Sequence, residues 1–453
     1  MKIVLIIVDC MRPDHLGCYG YPKDTSPCLD RIAQQGVVFE TAVAQANWTY
    51  PSIYSMITGR YPSVLKLDWL DSRVNEGFAT LPEQLARAGY HTALFSNFGF
   101  LTKRNNFGSH FEERRLIYLN QDTPSQIGAW AKQHKDAFLY FHIGEYVHEP
   151  FFADRSVVGR FLDRGVDAER ALRSPAVKAF TQVPDLATGN DATLREMIGK
   201  INKRIVRVSA EERSYLLSTY DAGIHTVDAM LGSIHTALRD ACEDYLFIVT
   251  ADHGQCFFEH NIIGHGLNLW DEVVRVPLIM DYGNRMKGRV KQSAALIDLY
   301  PTIVEAAQCD RPARLDGQSL FSLAGGVKTP SRHIYSEGYP YFSVRGDDYK
   351  LVTSYFRFLP YREVYGKLRE RSILKSNLRN IDALFSSDKV FNMREDAGER
   401  VNLRWKKTGV HRDLVASARK FLFESERESL PARLVSLDEE DEIKKQLADL
   451  GYL

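Results

Sequence analysis

The sequence predicts an α/β fold in which helices cover both faces of a central parallel or mixed sheet. Short apolar runs alternate with amphipathic stretches through roughly the first 300 residues. The runs are apolar throughout, which is typical of strands that are buried on both faces of a sheet. The chain has 453 residues and is 44% hydrophobic, enough for one large domain with a full core and a smaller appendage.

The elements of the large domain follow from the same pattern. Strands are predicted for five apolar runs, at residues 3–8, 91–95, 137–141, 245–250 and 276–280. Helices are predicted at residues 29–35, from Pro51 onward, at 81–88 and at 209–237. Proline is favoured in the first turn of a helix, and Gly89 just after residues 81–88 is a typical helix end.

A second region begins near the C-terminus, and we expect the large domain to span residues 1–325 and a smaller α+β subdomain to span 326–453. Four short segments separated by turn residues predict a small antiparallel sheet, at 333–336, 341–345, 349–353 and 390–392. A charged stretch at about 410–450 predicts a helical tail. Residues 154–208 are more polar, and we interpret them as an insertion, helical in part, that shapes access to the site.

Charge and cysteine content narrow the classes of function. The 58 basic and 58 acidic residues balance, so the chain has no general attraction to nucleic acid or acidic membranes. Six cysteines without a disulfide-scaffold spacing favour a reducing compartment. The apolar run at residues 3–8 is too short for a signal peptide or a membrane span. We therefore expect a cytoplasmic protein with no nucleic-acid or membrane partner, and assembly into a homo-oligomer stays open.

Side chains that can bind a metal ion follow two of the predicted strands. Asp9 comes after the run 3–8, and Asp252 and His253 come after the run 245–250. In open α/β sheets, ligands bind beyond the carboxyl ends of the strands. Oxygen and nitrogen donors brought together at that edge can hold one divalent cation. The ordinary alternative for a single strand-end acid is a helix cap or a loop hydrogen bond.

Thr49 precedes the helix predicted from Pro51. Taken alone, it is an ordinary helix cap. The same position directs its hydroxyl towards a helix N-terminus, whose N–H groups and dipole favour an anionic phosphoryl or sulfuryl group.

Several ordered motifs resemble the sulfatase family of the alkaline-phosphatase superfamily. They include IIVDCMRPDHLGCYGY, NWTYPSIYSMITGRYPS, YDAGIHTVDAMLG, VTADHGQCFFEHNIIGHG and VFNMREDAGERVNL. The resemblance extends over about residues 3–403, and several motifs in order are far more specific than one short pattern. It implies an alkaline-phosphatase-like sandwich, with residues 1–325 as the catalytic domain, and a small anionic ester as substrate.

The resemblance also implies roles for individual residues. It assigns metal ligation to Asp9, Thr49, Asp252 and His253, with Thr49 at the position of the nucleophile. His265 falls where many sulfatases place a lysine that contacts substrate.

His148 resembles the substrate-contacting histidine of the family, and His148 and His265 are predicted to stabilise charge or to protonate the leaving oxygen. Asn97, after the strand 91–95, and Arg12, in the loop after Asp9, are predicted to bind substrate; for Arg12 a solvated loop charge is the alternative.

Three departures from the family pattern bear on the chemistry. Sulfatases convert a cysteine or serine to formylglycine in a motif that also holds an arginine, whereas this chain has Thr49 and Ile53 there. Cys10 replaces a second acid, and His253 replaces an asparagine found in some sulfatases. The imidazole favours manganese or zinc over calcium. The metal shell resembles that of phosphonate monoester hydrolases and lipoteichoic-acid synthases.

The sequence therefore predicts a metal-dependent hydrolase that cleaves a phosphate or phosphonate ester through Thr49. A divalent cation lowers the pKa of a bound oxygen, so an unmodified threonine can serve as nucleophile. The alternatives are a sulfatase that works without formylglycine and an inactive binding protein with the same fold.

Three further residues have competing interpretations. We expect Cys10 to be a small buried residue rather than a ligand. We expect His142 to be a strand-end histidine with a satisfied hydrogen bond. Asp221 and His225 are four apart on a predicted helix, and they are a less favoured candidate for a second metal site.

Overall fold

The computed structural model describes residues 1–67, 72–73, 77–98, 101, 106–181, 192–327, 330–358, 387–429 and 433–434. In chain order the strands are β1 (Lys2–Val8), β2 (Val37–Phe39), β3 (Ala42–Val43), β4 (Ser72–Arg73), β5 (His91–Ser96), β6 (Glu113–Leu116), β7 (Ala137–Ile143), β8 (Tyr245–Thr250), β9 (Cys256–Phe257), β10 (Ile263–Gly264), β11 (Arg275–Val276), β12 (Leu278–Asp281), β13 (Gly288–Val290), β14 (Ala294–Ala295), β15 (Ile334–Gly338), β16 (Tyr341–Arg345), β17 (Tyr349–Ser354), β18 (Lys389–Asn392) and β19 (Arg433–Leu434).

The α-helices are α1 (Pro27–Gln35), α2 (Thr49–Thr58), α3 (Pro62–Leu65), α4 (Leu81–Arg87), α5 (Asn106–Ser109), α6 (Thr123–Gln133), α7 (Arg155–Phe161), α8 (Ala168–Ala171), α9 (Pro175–Thr181), α10 (Ala192–Asn202), α11 (Ala210–Ala241), α12 (Asp271–Val274), α13 (Leu299–Ala306), α14 (Leu320–Ala324) and α15 (Thr408–Glu428).

The large sheet confirms the predicted α/β fold. Its eight strands run in the order β13-β2-β12-β8-β1-β7-β5-β6, and β12 alone among them runs antiparallel to its neighbours. Strand β1 lies between β8 and β7 and is parallel to both. All seven residues of β1 are buried, as expected for a central strand covered on both faces.

Most predicted elements are present with shifted ends, and two differ in kind. The run 276–280 forms β11 and β12, which belong to different sheets. Pro277 separates them, and a proline cannot donate a ladder hydrogen bond in the middle of a strand. Helix α2 begins at Thr49 rather than Pro51, so Thr49 lies in the first turn and Trp48 holds the cap position.

The longest helix, α11, covers one face of the large sheet. It packs against α1, α6 and α7. Its first turn is a capping box, in which the Ser209 hydroxyl accepts from the N–H of Glu212 and the Glu212 carboxylate accepts from the N–H of Ser209. This cap explains why the helix begins just after Ser209.

The predicted small antiparallel sheet is also present, in the order β15-β16-β17-β18. Helix α15 packs on it through a cluster that includes Phe342, Leu351 and Leu414. The helical tail ends at Glu428, and the remainder of the predicted stretch lies largely outside the described residues. The domain boundary at residue 325 stays a prediction.

The region 154–208 contains α7, α8 and α9, and its last described part contains α10. Its helical content agrees with expectation, and its status as an insertion stays a prediction. Among the described residues, no helix combines the length and the apolar character needed to cross a membrane.

Candidate active site

Three strands of the large sheet bring polar side chains to one edge. Asp9 follows β1, and Asp252 follows β8 by one intervening residue. His142 is the next-to-last residue of β7 and pairs in register with Ile7 of β1. Because these strands are parallel neighbours, their carboxyl ends meet at the same edge, as predicted.

The hydroxyl of Thr49 lies within this group. Its Oγ1 atom is 3.3 Å from Oδ2 of Asp9 and 3.2 Å from Nε2 of His253. The same Nε2 atom is 3.5 Å from Oδ1 of Asp9 and 3.7 Å from Oδ2 of Asp252. The structure therefore brings together the four residues predicted as metal ligands, and their role as ligands stays a prediction.

Local hydrogen bonds orient His253 towards the cluster. Its Nδ1 atom is 2.9 Å from the carbonyl oxygen of Gly254, which accepts from the ring N–H. This contact fixes the tautomer in which Nε2 carries the lone pair. The backbone N–H of His253 also donates to Oδ1 of Asp252, at 3.0 Å. The histidine thus directs Nε2 towards the two carboxylates.

These residues fit a divalent cation on their own chemistry. Oδ1 of Asp9 and Oδ2 of Asp252 are buried, and neither has a hydrogen-bond partner within the described parts of the chain. Buried carboxylate oxygens without a partner are strongly destabilising unless a cation or another donor satisfies them. Carboxylate oxygens and an imidazole nitrogen are ligand types that divalent cations take in proteins.

Burial and neighbouring charges separate the pKa values of the two acids. Burial raises the pKa of Asp252, and the charge of Asp9 raises it further. Burial also opposes ionisation of Asp9, but the nearby imidazoles of His148, His142 and His253 outweigh it and hold the Asp9 pKa well below its usual range. One acid of the pair therefore ionises far more easily than the other.

Helix α2 is fixed against the same edge. The Ser52 hydroxyl donates to the carbonyl oxygen of Asp252 at 2.6 Å, and every residue of α2 is buried. The first turn of the helix, with its N–H groups and positive dipole end, therefore lies at the cluster together with Thr49.

The two predicted substrate-contacting histidines lie beside the cluster. The ring centroids of His148 and His265 are 5.0 Å apart, and those of His265 and His253 are 4.6 Å apart. Nδ1 of His265 is 3.3 Å from Oε1 of Gln255. Burial lowers the pKa of His265, and its two neighbouring imidazoles lower it further. Burial opposes the charged form of His148 too, but Asp9 and Glu149 raise its pKa above the ordinary value.

The two predicted substrate-binding residues make other contacts. Oδ1 of Asn97 accepts from the N–H of Gly144 at 2.9 Å, so Asn97 holds the loop that leads to His148. The buried guanidinium of Arg12 pairs with Asp14 at 2.6 Å and with Glu259 at 2.8 Å. Their roles in substrate binding stay predictions.

Asp221 and His225 do not form a metal site in this structure. The carboxylate of Asp221 binds His15 and Tyr21, each at 2.7 Å, and Nε2 of His225 is 2.9 Å from Nη1 of Arg160. The two residues are four apart along α11, and each is bound to groups outside the pair.

Sequence reasoning underestimated three residues. Nε2 of His142 forms the hydrogen bond expected of a strand-end histidine, and its partner is Oδ2 of Asp9 at 3.5 Å, while its Nδ1 is buried without a hydrogen-bond partner in the described chain. Sγ of Cys10 is 3.8 Å from Nδ1 of His253 and 3.6 Å from Nδ1 of His265. Glu149 was not singled out. Position along the chain could have identified two of them, since Cys10 and His142 lie at the carboxyl ends of adjacent strands.

Comparison with known proteins agrees with this geometry. Residues 2–309 match the Sulfatase family, and residues 259–380 match the family described as N-sulphoglucosamine sulphohydrolase, C-terminal. The uncharacterized sulfatase YidJ of Escherichia coli is 22% identical over 445 residues, covering 89% of this chain and 82% of that protein. The delta 4,5-hexuronate-2-O-sulfatase of Bacteroides thetaiotaomicron is 23% identical over 437 residues, covering 88% and 84%.

Two solved structures show the same fold. A 2-O GAG sulfatase superposes with a TM-score of 0.67 at 17% identity, covering 96% of this chain and 95% of that one. The phosphonate monoester hydrolase of Agrobacterium radiobacter superposes with a TM-score of 0.64 at 16% identity, covering 94% and 96%. Since the family match spans more than half of the chain, this protein belongs to the sulfatase family of ester hydrolases, in the alkaline-phosphatase superfamily.

Proposed function

We propose that this protein hydrolyses phosphate or phosphonate esters, with Thr49 as the nucleophile. The observation that carries the proposal is the position of the Thr49 hydroxyl, which is 3.3 Å from the Asp9 carboxylate and 3.2 Å from His253. Asp9, Thr49, Asp252 and His253 would hold one divalent cation, manganese or zinc rather than calcium. Such a cation supplies positive charge that favours loss of the hydroxyl proton and offsets the charge of the ester.

The residues around Thr49 support an in-line displacement. The first turn of α2 presents backbone N–H groups to an anionic group beside the hydroxyl. Thr49 gives up its hydroxyl proton, and Oγ1 forms the bond to phosphorus as the bond to the leaving oxygen breaks. The leaving oxygen takes up a proton and departs as an alcohol. His265 lies beside His253, and His148 lies beside His265; these two histidines stabilise the charge that develops on the leaving oxygen. Water then attacks phosphorus and releases Thr49.

The identity of residue 49 favours phosphorus over sulfur. A formylglycine hydrate expels sulfate by collapsing to an aldehyde, and a threonine cannot form that hydrate. A sulfated threonine would have to be attacked at sulfur to be released. A phosphorylated or phosphonylated threonine is released by attack at phosphorus, the same chemistry as its formation.

Hydrolysis of a sulfate ester without formylglycine is the second candidate. It is favoured by the sequence relatives, among them a sulfatase that acts on a hexuronate 2-O-sulfate. Both candidates share the cation, the nucleophile and a small anionic ester substrate, so a direct comparison of substrates separates them.

The experiment is a paired screen of the full-length protein, loaded with manganese or with zinc. Aryl sulfate, phosphate monoester, phosphate diester and phosphonate monoester are offered to the wild type and to Thr49→Ala. We expect turnover of a phosphorus ester that the substitution abolishes. Thr49-dependent turnover of aryl sulfate alone would establish the second candidate instead. Turnover of none of the four would favour a binding protein that keeps the fold.

A further inference from the structure

A second group of metal-binding side chains lies directly beside the first. Cys10, His148, Glu149 and His265 each offer one ligand atom, and these four atoms all lie within 4.8 Å of one another. The side chains of His265 and Glu149 are only 8% and 5% exposed, and Cys10 is fully buried. This group shares no residue with the cluster of Asp9, Thr49, Asp252 and His253.

The donor set is that of a zinc site. One thiol, two imidazoles and one carboxylate are the ligand types that four-coordinate zinc takes in proteins. With metal–ligand bonds of about 2.0–2.3 Å, the ligand atoms of a tetrahedral site lie roughly 3.3–3.8 Å apart. Sγ of Cys10 and Oε1 of Glu149 are each 3.6 Å from Nδ1 of His265, which is already within this range.

A hydrogen bond to the backbone orients one of the ligands of this group. Nδ1 of His148 donates to the carbonyl oxygen of Glu149, which leaves the lone pair on Nε2. A ring nitrogen that donates to a backbone carbonyl while the other faces outward is the usual arrangement of a metal-binding histidine.

Two further observations point to a bound ion. Oε2 of Glu149 is buried and has no hydrogen-bond partner among the described residues. Cys10 has a φ of 62°, a left-handed conformation that is uncommon for residues other than glycine, asparagine and aspartate. Such strain at a non-glycine residue persists where the surroundings require a particular side-chain direction. Here that direction aims the thiol at His265 and His253.

We propose that Cys10, His148, Glu149 and His265 bind a second divalent cation, best matched by zinc. The thiol of Cys10 lies between the two sites, since Asp9, Cys10 and His253 also form a group with the same spacing. The role of this second ion rests on the proposed function. It would supply positive charge on the side of the cluster where His148 and His265 meet the leaving oxygen, and these histidines would act there as its ligands.

The test uses the full-length protein expressed with cobalt, which takes zinc sites and reports its ligands by absorption. The ions per chain are counted by elemental analysis, and the near-ultraviolet spectrum is examined for a thiolate-to-cobalt charge-transfer band. We expect two cobalt ions per chain and such a band. Cys10→Ser should remove the band, whereas Cys256→Ser, which changes another buried cysteine, should leave it in place.

The wild-type measurement alone can overturn the proposal. A single ion per chain, or two ions without a thiolate band, contradicts it, and so does a band that persists in Cys10→Ser. His265→Gln provides a second variant if Cys10→Ser does not fold, and it should lower the count from two ions to one. A single ion together with Thr49-dependent ester hydrolysis refutes the second site and leaves the proposed function intact. Two ions with a thiolate band but no such hydrolysis refute the proposed function alone.

Discussion

Asp9 and Asp252 are fully buried carboxylates that face the same nitrogen of His253, and Thr49 completes the group. Their closeness is costly in the absence of a cation, because the charge of Asp9 opposes the ionisation of Asp252. The stability of the folded protein should therefore depend on the metal bound by these residues. A ligand that binds only the folded state stabilises it by about 2.7 kcal/mol at a hundredfold excess over its dissociation constant.

Removal of the metal should lower both stability and activity. We expect a chelator to lower the melting temperature of the wild type by several degrees and to abolish ester hydrolysis, and manganese or zinc should restore both. Differential scanning fluorimetry with and without chelator measures the shift. Asp252→Asn should show a smaller shift than the wild type, because it lacks one ligand of this site. A wild-type melting temperature unchanged by complete metal removal would contradict the metal assignment.

Sequence reasoning at this scale succeeded where position along a strand decides the outcome. Asp9 and Asp252 were predicted because they follow apolar runs, and parallel strands end at one edge. The sequence was less informative where the direction of a side chain determines whether it reaches the site. His142 points to Asp9 because of the pleat of β7 and its register with β1, and the thiol of Cys10 points to His265 because of a positive φ. Neither the strand register nor the φ angle of a single residue can be predicted from one sequence alone.

At the scale of elements, the loop between β7 and α7 is held in place by the close approach of helix α11. Gly223 of α11 lies against the backbone of Tyr146, so closely that a Cβ atom on Gly223 would be 2.3 Å from the carbonyl oxygen of Tyr146. The same loop carries His148 and Glu149. The absence of a side chain at residue 223 therefore determines where His148 lies.

Gly223→Ala should displace this loop and impair catalysis. The contact must lengthen by about 1 Å, and a misplacement of that size in an active site costs on the order of a hundredfold in rate. Steady-state kinetics with the best ester substrate measures the loss. Gly199→Ala on α10 is the matched control, since a Cβ atom there meets nothing within 4 Å and alanine favours a helix. Wild-type kinetics in Gly223→Ala would contradict this role for the glycine.

The predicted strand at 276–280 shows what limits the prediction of elements. Its apolar run is continuous, but the proline within it divides the run between two sheets. Which sheet each half joins depends on distant partners, since β11 pairs with β3 and β12 pairs with β2 and β8. The local pattern of apolar residues predicts a strand here, but it does not predict that the strand is divided between two sheets.

On the scale of the whole molecule, buried polar groups join the small sheet to the rest of the chain. Asp271, at the start of α12, binds Arg345 of β16 and Lys350 of β17, and Lys350 also binds Glu399. Nearby, Glu337 of β15 accepts a hydrogen bond from the N–H of Ser63 at 3.2 Å. The contacts of Asp271 and Glu337 join segments more than 70 residues apart, so the sequence predicted the small sheet but not how it docks.

The docking of the small sheet should depend on pH through Glu337. Burial raises the pKa of Glu337 from 4.5 to about 7, although hydrogen bonds from Tyr355 and Ser63 oppose the rise. Between these two values the folded state retains a proton that the unfolded chain has lost. The stabilisation is complete below about pH 4.5 and is lost as the pH rises through about 7, with a total change of up to about 3 kcal/mol.

Glu337→Gln removes this titration and should flatten the profile. Chemical denaturation at pH values from 5 to about 8 compares the free energy of unfolding of the variant with that of the wild type. The wild type should lose stability relative to the variant as the pH rises. Glu424→Gln, at an exposed position on α15, is the control and should follow the wild type. Parallel profiles for the wild type and Glu337→Gln would refute the raised pKa.

We propose that Thr49 acts as the nucleophile without modification. Three variants, compared by their kinetics on the best phosphorus ester, test this role directly. Thr49→Ser keeps a hydroxyl, Thr49→Val keeps the shape without it, and Ser55→Ala removes a different buried hydroxyl from the same helix. We predict that kcat falls by roughly a thousandfold or more in Thr49→Val, since loss of a nucleophile has effects of that size or larger. Thr49→Ser should retain much of the activity, and Ser55→Ala should match the wild type. Hydrolysis by Thr49→Val at the wild-type rate would show that Thr49 is not the nucleophile.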